Sequence, residues 1–436
     1  MRVRMSRANR LLVIAAAALL ASVALAACGG DDDDGDGGDA GEAGEPITVG
    51  ITTAQSGALE PYDRQGSQAL EMRLEEINEE GGVLDGREFE VEVLDTESDR
   101  ARTGTNARQL IDDGADIIIA TCDFDFAFPA LEVAAQQGVL GMALCASAPI
   151  VADPATVGET GGSMGQGADA EAVAMADFID EEHPDWNSAY IITDTFLQYN
   201  QQTSNYFQGQ WEELGKEICG TDEFVGDETL DLAPHITRLR QAVADCDVIY
   251  VGSIVPTGAQ VVRAAREAGI DTPFATNVAV NGGTVSEVAG RVSDLYTLSH
   301  KCIPSYCEGA DEEVTQIADA YQERWGEEMN ESYAIVPYDL GTALADAIDA
   351  AGTTEGAEVA AQLFSGDLVV DTVIGGPMVF TPECHRPQPA GFDIELWTNG
   401  QAEKVAEQQV AEIPDLGDGN TCLDVPPEPE GGDDEE

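Results

Sequence analysis

The sequence predicts an α/β protein with two lobes, each a parallel sheet flanked by helices, and three observations support this. Predicted strands and helices alternate from Ile47 onward, which is typical of βαβ units. The alternation restarts after a glycine-rich stretch at Gly161–Gly167, so a second set of similar size follows the first. The length of 436 residues and the hydrophobic content of 43% allow two to three domains with real cores.

The first set begins with a strand at Ile47 and continues into a predicted helix at Tyr62–Glu80. Apolar residues recur in this helix at helical spacing, and Gly81 provides a C-terminal cap. Further elements of the set are a strand at Phe89–Asp95, a helix at Thr103–Gly114, a strand at Ile117–Ala120, a helix at Phe128–Gly138 and a strand at Val139–Leu144.

The second set repeats this order and leads into a C-terminal part of different character. The dipeptide Asn399-Gly400 predicts the turn of a β-hairpin near the end of the chain. The predicted helices are Ala168–Glu182, Tyr199–Gly215, Ala233–Ala244, Ala259–Gly269, Asp311–Trp325 and Tyr338–Ala351, and the strands include AYIITD, Ile218–Phe224, CDVIYVG and PFATN.

The charge balance excludes two classes of partner. The chain has 83 acidic and 20 basic residues, with a formal net charge of −63. Nucleic acid is a poor partner because phosphate binding requires neutralisation by Lys and Arg. An anionic lipid surface would repel such a chain as well. We interpret the acidity as a feature that keeps the protein soluble.

The N-terminus has the features of an export signal. Four arginines precede the apolar run Leu11–Ala24, which is shorter than a typical transmembrane helix. The next residues, "LAAC" ending at Cys28, resemble the bacterial lipoprotein cleavage box, in which the cysteine becomes the lipid-bearing first residue. An ordinary signal peptide ending in A-x-A is the alternative. We therefore expect a signal peptide at residues 1–27 and lipid attachment at Cys28.

Residues 28–45 predict an acidic tether between this anchor and the folded body. The stretch "GGDDDDGDGGDAGEAGE" has no apolar residue beyond two alanines, so it cannot form a core. A calcium-binding loop is a more specific alternative, but the acids lack the EF-hand spacing. The C-terminal residues 413–436 predict a similar acidic tail.

Nine cysteines are present, and eight remain for disulfides if Cys28 carries lipid. Cys122 and Cys145 follow strands that we expect to be parallel neighbours about 4.8 Å apart, which places the two at bonding distance. Similar proximity suggests the pairs Cys219–Cys246, Cys302–Cys307 and Cys384–Cys422, although eight cysteines allow 105 pairings. A zinc site at Cys384 and His385 is the alternative, but the spacing is wrong for a zinc finger.

Two α/β lobes imply a cleft, and ligands of open α/β sheets bind beyond the carboxyl ends of the strands. The predicted strand ends are Gln55–Tyr62, Cys122–Phe128, Cys145–Pro149, Asp194–Tyr199, Gly252–Pro256 and Thr276–Asn281. The sequence contains no G-x-x-x-x-G-K-[ST] phosphate loop and no G-x-S-x-G motif. Its four histidines form no nucleophile–base pair with these ends. We expect a binding protein without a cofactor or metal, not an enzyme.

Long ordered segments resemble the type I periplasmic binding proteins of ABC transporters, in particular the branched-chain amino acid class. They include "VGITTAQSGALEPYDRQGSQALEMRLEEINEEGG", "LIDDGADIIIATCDF", "VLGMALCASAP", "AYIITDTFLQYNQQ", "VIYVGSIVPTGAQVVRAAREAGIDTPFATN" and "SYAIVPYDLGTALADAI". The resemblance spans about residues 47–405. It implies two Rossmann-like lobes joined by three crossovers that close on a ligand as a hinged trap.

The resemblance also implies domain boundaries. We expect lobe 1 at residues 46–163 and 301–376, and lobe 2 at residues 164–300 and 377–412. The three crossovers are expected near Gly161–Gly165, Leu298–Ile303 and Gly375–Thr381.

Ten residues are candidate ligand contacts. The resemblance implies that Ala146 and Ser147 hold an amino acid carboxylate and that tyrosines line the cleft. The full set is Ser56, Tyr62, Asp123, Phe124, Ala146, Ser147, Tyr199, Ser253, Asn277 and Tyr338.

Two positions depart from the family pattern. Asp123 stands where amino acid binders use a serine, and an ionised Asp would repel a ligand carboxylate. Asn277 and Val278 stand where an acid should accept the ammonium group. Asp123, with Asp125 nearby, could instead accept hydrogen bonds from a cationic or amide-rich ligand.

The phenylalanines of this stretch could cover such a ligand. Phe124, Phe126 or Phe128 could contact its apolar or cationic part. Alternatively, Asp123 caps the following helix and the phenylalanines belong to the core. The candidate tyrosines could likewise be plain packing residues.

These features predict a monomeric, lipid-anchored substrate-binding protein of an ABC uptake system. The expected ligand is a small polar molecule: a branched-chain or other amino acid, or a related amide or amine. The expected partners are this ligand and a membrane permease. A ligand-sensing module that reports to a separate receptor is the alternative.

Overall fold

Five parallel strands rich in β-branched residues form the sheet of the first lobe in the computed structural model, which describes residues 44–227 and 229–426. The strands are β1 (Ile47–Thr53), β2 (Phe89–Asp95), β3 (Ile117–Ala120), β4 (Leu140–Ala143) and β5 (Gly161–Ser163). Their order is β2-β1-β3-β4-β5, and every pairing is parallel. β1, β3 and β4 are almost entirely buried, as expected for a sheet with helices on both faces.

Helices connect these strands and end where glycines adopt left-handed backbone angles. They are α1 (Glu60–Glu80), α2 (Arg100–Asp113), α3 (Phe124–Gln137) and the single turn α4 (Pro154–Val157). Gly81, Gly114 and Gly138 cap the first three at φ angles of 119°, 110° and 72°. These angles favour glycine, which explains why the sequence predicts the ends of these helices well.

The start of α3 corrects one prediction. The helix begins at Phe124, four residues before the predicted start at Phe128, and Pro129 lies inside it. The aromatic and acidic stretch after β3 is therefore the first turn of a helix. The rings of Phe124 and Phe128 contact each other across this turn, with centroids 5.4 Å apart.

The second lobe contains a mixed sheet of eight strands. They are β6 (Ser188–Asp194), β7 (Glu217–Phe224), β8 (Val248–Gly252), β9 (Phe274–Thr276), β10 (Leu295–Ser299), β11 (Cys307–Glu308), β15 (Gly391–Thr398) and β16 (Gln401–Gln409). Their order is β11-β16-β15-β10-β9-β8-β6-β7. Its helices are α5 (Ala168–Glu182), α6 (Gln198–Glu213), α7 (Ala233–Ala242), α8 (Thr257–Glu267) and α9 (Gly283–Ala289).

The chain then returns to the first lobe and finally to the second. Helices α10 (Glu312–Trp325) and α11 (Ile335–Ala351) pack on α1, and α12 (Gly356–Leu363) packs near β4. A small antiparallel sheet follows, formed by β12 (Val370–Thr372), β13 (Gly376–Thr381) and β14 (Cys384–Gln388). The last pair, β15 (Gly391–Thr398) and β16 (Gln401–Gln409), is the predicted hairpin.

Three crossings join the lobes, and the third differs from its predicted place. The chain crosses between β5 and α5, between β11 and α10, and between β14 and β15. The last crossing was expected near Gly375–Thr381, but β13 and β14 intervene, and β14 packs beside β5 of the first lobe. Cys307–Glu308, which we placed in lobe 1, pairs with β16 of the second sheet. The predicted lobe boundaries otherwise stay predictions.

The structure contains the four predicted disulfides. They are Cys122–Cys145, Cys219–Cys246, Cys302–Cys307 and Cys384–Cys422. The first joins the tips of β3 and β4, with Cα atoms 4.5 Å apart, as the strand order required. Cys384 therefore has no thiolate for zinc, and His385 contacts the carbonyl oxygen of Gly161. The predicted signal peptide, Cys28, residues 28–43 of the tether and residues 427–436 of the tail lie outside the described residues. The described part of the predicted tail is not free, since Cys422 is bonded to Cys384 and Asn420 donates to Asp169.

Candidate functional site

The carboxyl ends of both sheets face a cavity between the lobes. The first lobe contributes Leu59, Tyr62, Cys122, Asp123, Cys145, Ser147 and Tyr333, and the second contributes Leu197, Tyr199, Ile254 and Ala279. The cavity has a volume of about 360 Å³ including its opening to solvent, and residues of both lobes lie close together around it.

Three tyrosines connect the lobes across this cavity. The hydroxyl of Tyr62 accepts a hydrogen bond from the backbone N–H of Val255 at 2.8 Å and lies 3.1 Å from the carbonyl oxygen of Ala279. The hydroxyls of Tyr199 and Tyr333 are 3.2 Å apart, one from each lobe. The Tyr62 and Tyr333 rings meet edge to face. Because these bonds join opposite lobes, they belong to the closed arrangement.

Two further contacts join the lobes at the edges of the cavity. At one edge, the Asp125 carboxylate accepts hydrogen bonds from the backbone and the side chain of Gln198, both at 3.1 Å. At the other edge, the N–H of Gly283 donates to the carbonyl oxygen of Asn330 at 2.9 Å, and the Thr284 hydroxyl donates to Glu331 at 3.0 Å. Opening the lobes would break both sets of bonds.

Asp123 lies in the cavity wall at the N-terminus of α3. It occupies the N-cap position but makes no capping hydrogen bond through its side chain. Its Oδ1 atom is buried and has no hydrogen-bond partner. Burial, followed by the nearby charge of Asp125, raises the pKa of Asp123 to about 7. The unpartnered Oδ1 atom is therefore available to a ligand, and the ligand-contact role of Asp123 stays a prediction.

Glu171 is a second buried acid, which does not line the cavity but lies directly behind the lining residue Tyr199, and the sequence reading missed it. It lies on α5, with one oxygen 2.5 Å from the Tyr199 hydroxyl and 3.3 Å from the N–H of Val278. Its other oxygen, Oε1, has no hydrogen-bond partner. Burial raises the pKa of Glu171 to about 7, since the charged form loses its hydration there.

The remaining candidates of the first lobe lie in three places, the cavity wall, the core and the exposed surface. Ser147 lines the cavity, whereas Ala146 lies beneath it and accepts a hydrogen bond from Ser163 at 2.7 Å. Ser56 is exposed, and its hydroxyl donates to Asp95 outside the cavity. Phe124 packs in the core of the first lobe.

Three other candidates also lie away from the cavity lining. The Ser253 hydroxyl donates to Asp194 at 3.1 Å. Asn277 is fully buried, and neither polar atom of its side chain has a partner. Tyr338 lines a separate depression on the first lobe and donates to Glu76 at 2.6 Å. Among the described residues, the rim aromatic is Tyr333 in the same segment, not Tyr338.

The neighbours of Asp123 pack instead of lining the cavity. Asp125 forms the interlobe contact and lies 3.2 Å from Arg100. The Arg100 guanidinium lies over the Phe126 ring, 5.5 Å from its centroid, and Phe128 packs beside the first-lobe core. The alternative that placed the phenylalanines in the core is therefore favoured.

Glu171 and Tyr333 were missed for different reasons. Glu171 stands in the run "ADAEAVAMADF", where an acid surrounded by small apolar residues was an available signal of a buried carboxyl. Tyr333 lies in a short 3-10 turn before α11, so helical spacing does not predict the orientation of its side chain.

The described part of the chain has one cluster of possible metal ligands and no membrane-spanning helix. One group of possible metal ligands occurs there, Cys302, Cys307 and Glu395, but its two sulfur atoms form a disulfide. No helix within residues 44–227 or 229–426 has the length and apolar character needed to span a bilayer.

We predict that thermal stability falls as the pH rises from 6.5 to 8.5. Burial raises the pKa of Glu331 and of Glu395 to about 8, and that of Asp123 and of Glu171 to about 7. In the unfolded chain these acids are already ionised at pH 6.5, so the native state binds more protons through this range. Each group can remove up to about 1.4 kcal/mol per pH unit. Buried His300, with its pKa lowered to about 3, is neutral in the native state, so proton loss from its unfolded imidazole opposes this trend only near pH 6.5.

Melting temperatures at pH 6.5, 7.5 and 8.5 and constant ionic strength measure this effect. Glu331→Gln should flatten the profile because the amide does not titrate. A melting temperature that is constant or rises over this range would contradict the assignment of these buried acids.

Comparisons with known proteins agree with this geometry. The sequence profile of the family described as "Periplasmic binding protein" matches residues 46–396. The Leu/Ile/Val-binding protein homolog 1 of Brucella suis biovar 1 (strain 1330) is 24% identical over 356 residues, which cover 81% of this chain and 91% of the relative.

Two solved structures share the fold. One is the branched-chain amino acid transporter substrate-binding protein LivJ of Streptococcus pneumoniae in complex with isoleucine, with a TM-score of 0.69, 20% identity, and coverage of 84% of this chain and 99% of that chain. The other is an R. palustris solute-binding protein of an ABC transporter in complex with benzoate, with a TM-score of 0.69, 16% identity, and coverage of 84% and 98%.

The relatives are binding proteins, which confirms the expectation that this chain is not an enzyme. The profile covers most of the chain, and the fold neighbours have the same two-lobe architecture. The chain therefore belongs to the periplasmic binding protein family and has its type I fold.

Proposed function

We propose that the protein captures a small polar ligand between its lobes and delivers it to the permease of an ABC uptake transporter. The observation that carries this proposal is the cavity at the carboxyl ends of both sheets, which has walls from both lobes. A ligand that contacts both walls binds the closed form more tightly than the open one, so it shifts the population toward closure. The permease would then recognise the closed form.

Family membership implies that the protein is exported, and the anchor is part of the proposal. Cys28 would carry the lipid, and the acidic residues 28–45 would hold the folded body away from the membrane. Palmitate labelling of wild type and Cys28→Ser in a bacterial host tests this step. Labelling that persists in the variant would contradict lipid attachment at Cys28.

A thermal-shift screen of neutral amino acids, cationic amino acids, amides, ureas and polyamines tests ligand capture. Ligand at 100 times its dissociation constant should stabilise the protein by about 2.7 kcal/mol. If no compound of any class shifts the melting temperature, the proposed capture function is contradicted. A sensing module would pass this screen as well, and a transport assay with and without the permease separates the two roles.

Tyr62→Phe should weaken binding of the best compound from this screen by about five- to tenfold. The substitution keeps the ring but removes the hydroxyl that bonds Val255 on the other lobe, a loss of about 1 kcal/mol in the closed form. Isothermal titration calorimetry measures the change. Tyr338→Phe is the matched control, since its hydroxyl bonds Glu76 within the first lobe. Equal effects of the two substitutions would contradict the role of Tyr62.

A further inference from the structure

We infer that the cavity selects a small organic amine cation without a carboxylate group, with Asp123 and Glu171 accepting its N–H donors. This inference rests on the proposed function and names the ligand class of the same site. It departs from an amino acid ligand, which would bring a carboxylate into the cavity.

Asp123 supplies the first acceptor. Its side chain lines the cavity, it is 7% exposed, and its Oδ1 atom has no partner. A buried acceptor without a partner is costly, so a ligand that donates to it gains more than an average hydrogen bond. The charged groups that face it are Asp125 and Asp63, and Tyr62 is adjacent. All of these groups favour a cation over an anion.

We place the second acceptor at Glu171 of the other lobe, which does not itself line the cavity but contacts two residues that do, Tyr199 and Ser147. It is fully buried behind Tyr199, and its Oε1 atom is unpartnered. The titratable groups around it are Tyr199, Tyr333, Tyr250 and Asp169. Asp169 forms an ion pair with Arg386, which neutralises its charge. On this side of the cavity, the preference for a cation therefore comes from Glu171.

The cavity lining contains no group that would neutralise a carboxylate. The eleven described residues that line it include no Lys, Arg or His, and Ser147 is the one aliphatic hydroxyl among them. The nearby Arg100 is already paired with Asp125. A bound carboxylate would lie near Asp123 without a counter-charge, and repulsion between like charges is strong in a poorly hydrated site. The charge of the cavity therefore opposes anionic and zwitterionic ligands.

The rest of the lining fits the body of such an amine. Leu59, Leu197 and Ile254 offer apolar contacts, and tyrosine faces attract organic cations. The unpartnered oxygens require N–H donors, which a protonated amine has and a quaternary ammonium lacks. The cavity volume of about 360 Å³, opening included, limits the ligand to a small alkyl or aromatic amine.

Three probes of matched shape test the inference by calorimetry. They are 3-methylbutylamine, L-leucine and 4-methylpentanoate, which share an isobutyl body and differ in charged groups. We expect the amine to bind at least tenfold more tightly than leucine and the carboxylate not to bind. If leucine binds as tightly as the amine or more tightly, the inference is overturned while ligand capture stands. If the amine does not bind and any other compound does, the inference is likewise overturned. If no compound binds at all, both the inference and the proposed function fail.

Two substitutions locate the amine. Asp123→Asn and Glu171→Gln should each weaken 3-methylbutylamine binding at least tenfold. The matched controls are Asp113→Asn and Glu182→Gln, which alter exposed acids of α2 and α5 and should leave binding unchanged. Because the two cavity substitutions remove buried charges, the ligand-free melting temperature should not fall by more than a few degrees. Unchanged amine affinity in both variants would overturn the assignment.

The number of protons released on ligand binding can be measured on the wild-type protein, so this test does not require a variant that folds. A bound cation lowers the pKa of Asp123 and Glu171 from their raised values, so binding at pH 6.5 should release protons. Calorimetry in two buffers of different ionisation enthalpy measures the number released. Uptake of protons, or no exchange, would contradict the two-carboxylate site.

Discussion

Replacing Asp169 with alanine should destabilise the protein by about 3–5 kcal/mol, because it leaves the Arg386 guanidinium buried without a counter-charge. The carboxylate of Asp169 at the start of α5 accepts two hydrogen bonds from Arg386 on β14, at 2.6 and 2.8 Å. Both side chains are at most 2% exposed. Asn420 of the C-terminal segment also donates to Asp169, so three separate parts of the chain meet at this ion pair.

Urea unfolding measures the loss, and two variants provide controls. Glu267→Ala disrupts an exposed pair with Arg263 and should cost at most about 1 kcal/mol. Combining Asp169→Leu with Arg386→Met should restore most of the stability, since apolar residues replace both charges. A loss below 1 kcal/mol in Asp169→Ala would show that the pair is not buried as described.

Removing the Cys384–Cys422 disulfide should lower the unfolding free energy by about 4 kcal/mol. The bond closes a loop of 38 residues, and the loss of loop-closure entropy in the unfolded chain scales with loop length. It also fastens the C-terminal segment, where Asp418 bonds Tyr206 on α6. Substituting both cysteines by serine avoids a free thiol.

The Cys302–Cys307 bond is the matched control for this prediction. It spans only 5 residues, so its removal should cost about 2 kcal/mol on the same reasoning. Unfolding curves of the two double-serine variants under identical conditions compare the effects. An equal or larger loss for the short loop would contradict the loop-length argument.

The sequence predicts those parts of the fold that local chemistry determines. Asn399-Gly400 specifies the last hairpin because both residues tolerate positive φ, and their angles are 55° and 84°. The Cys122–Cys145 bond follows from two adjacent parallel strands with cysteines just beyond their tips. The glycine caps end their helices for the same local reason.

The parts that were missed depend on contacts distant in sequence. Glu171 lies behind the cavity lining because α5 packs against α6 and brings it to Tyr199, a contact that no local pattern encodes. Tyr333 reaches the cavity from the short 3-10 turn before α11, whereas Tyr338 on α11 faces Glu76 of α1, and the sequence does not separate these two positions. The small sheet β12–β14 has short strands with weak alternation, so the third crossing was placed too early.

Hydrogen exchange at two backbone amides tests closure on a ligand most directly. The N–H groups of Gln198 and Gly283 donate to Asp125 and Asn330, each on the opposite lobe. Their protection therefore reports closure, whereas the amide of Ile119 in the first sheet provides an internal reference. We expect 3-methylbutylamine, or the best compound from the screen, to slow exchange at Gln198 and Gly283 and to leave exchange at Ile119 unchanged. Saturating ligand that leaves Gln198 and Gly283 exchanging as in the free protein would contradict this expectation.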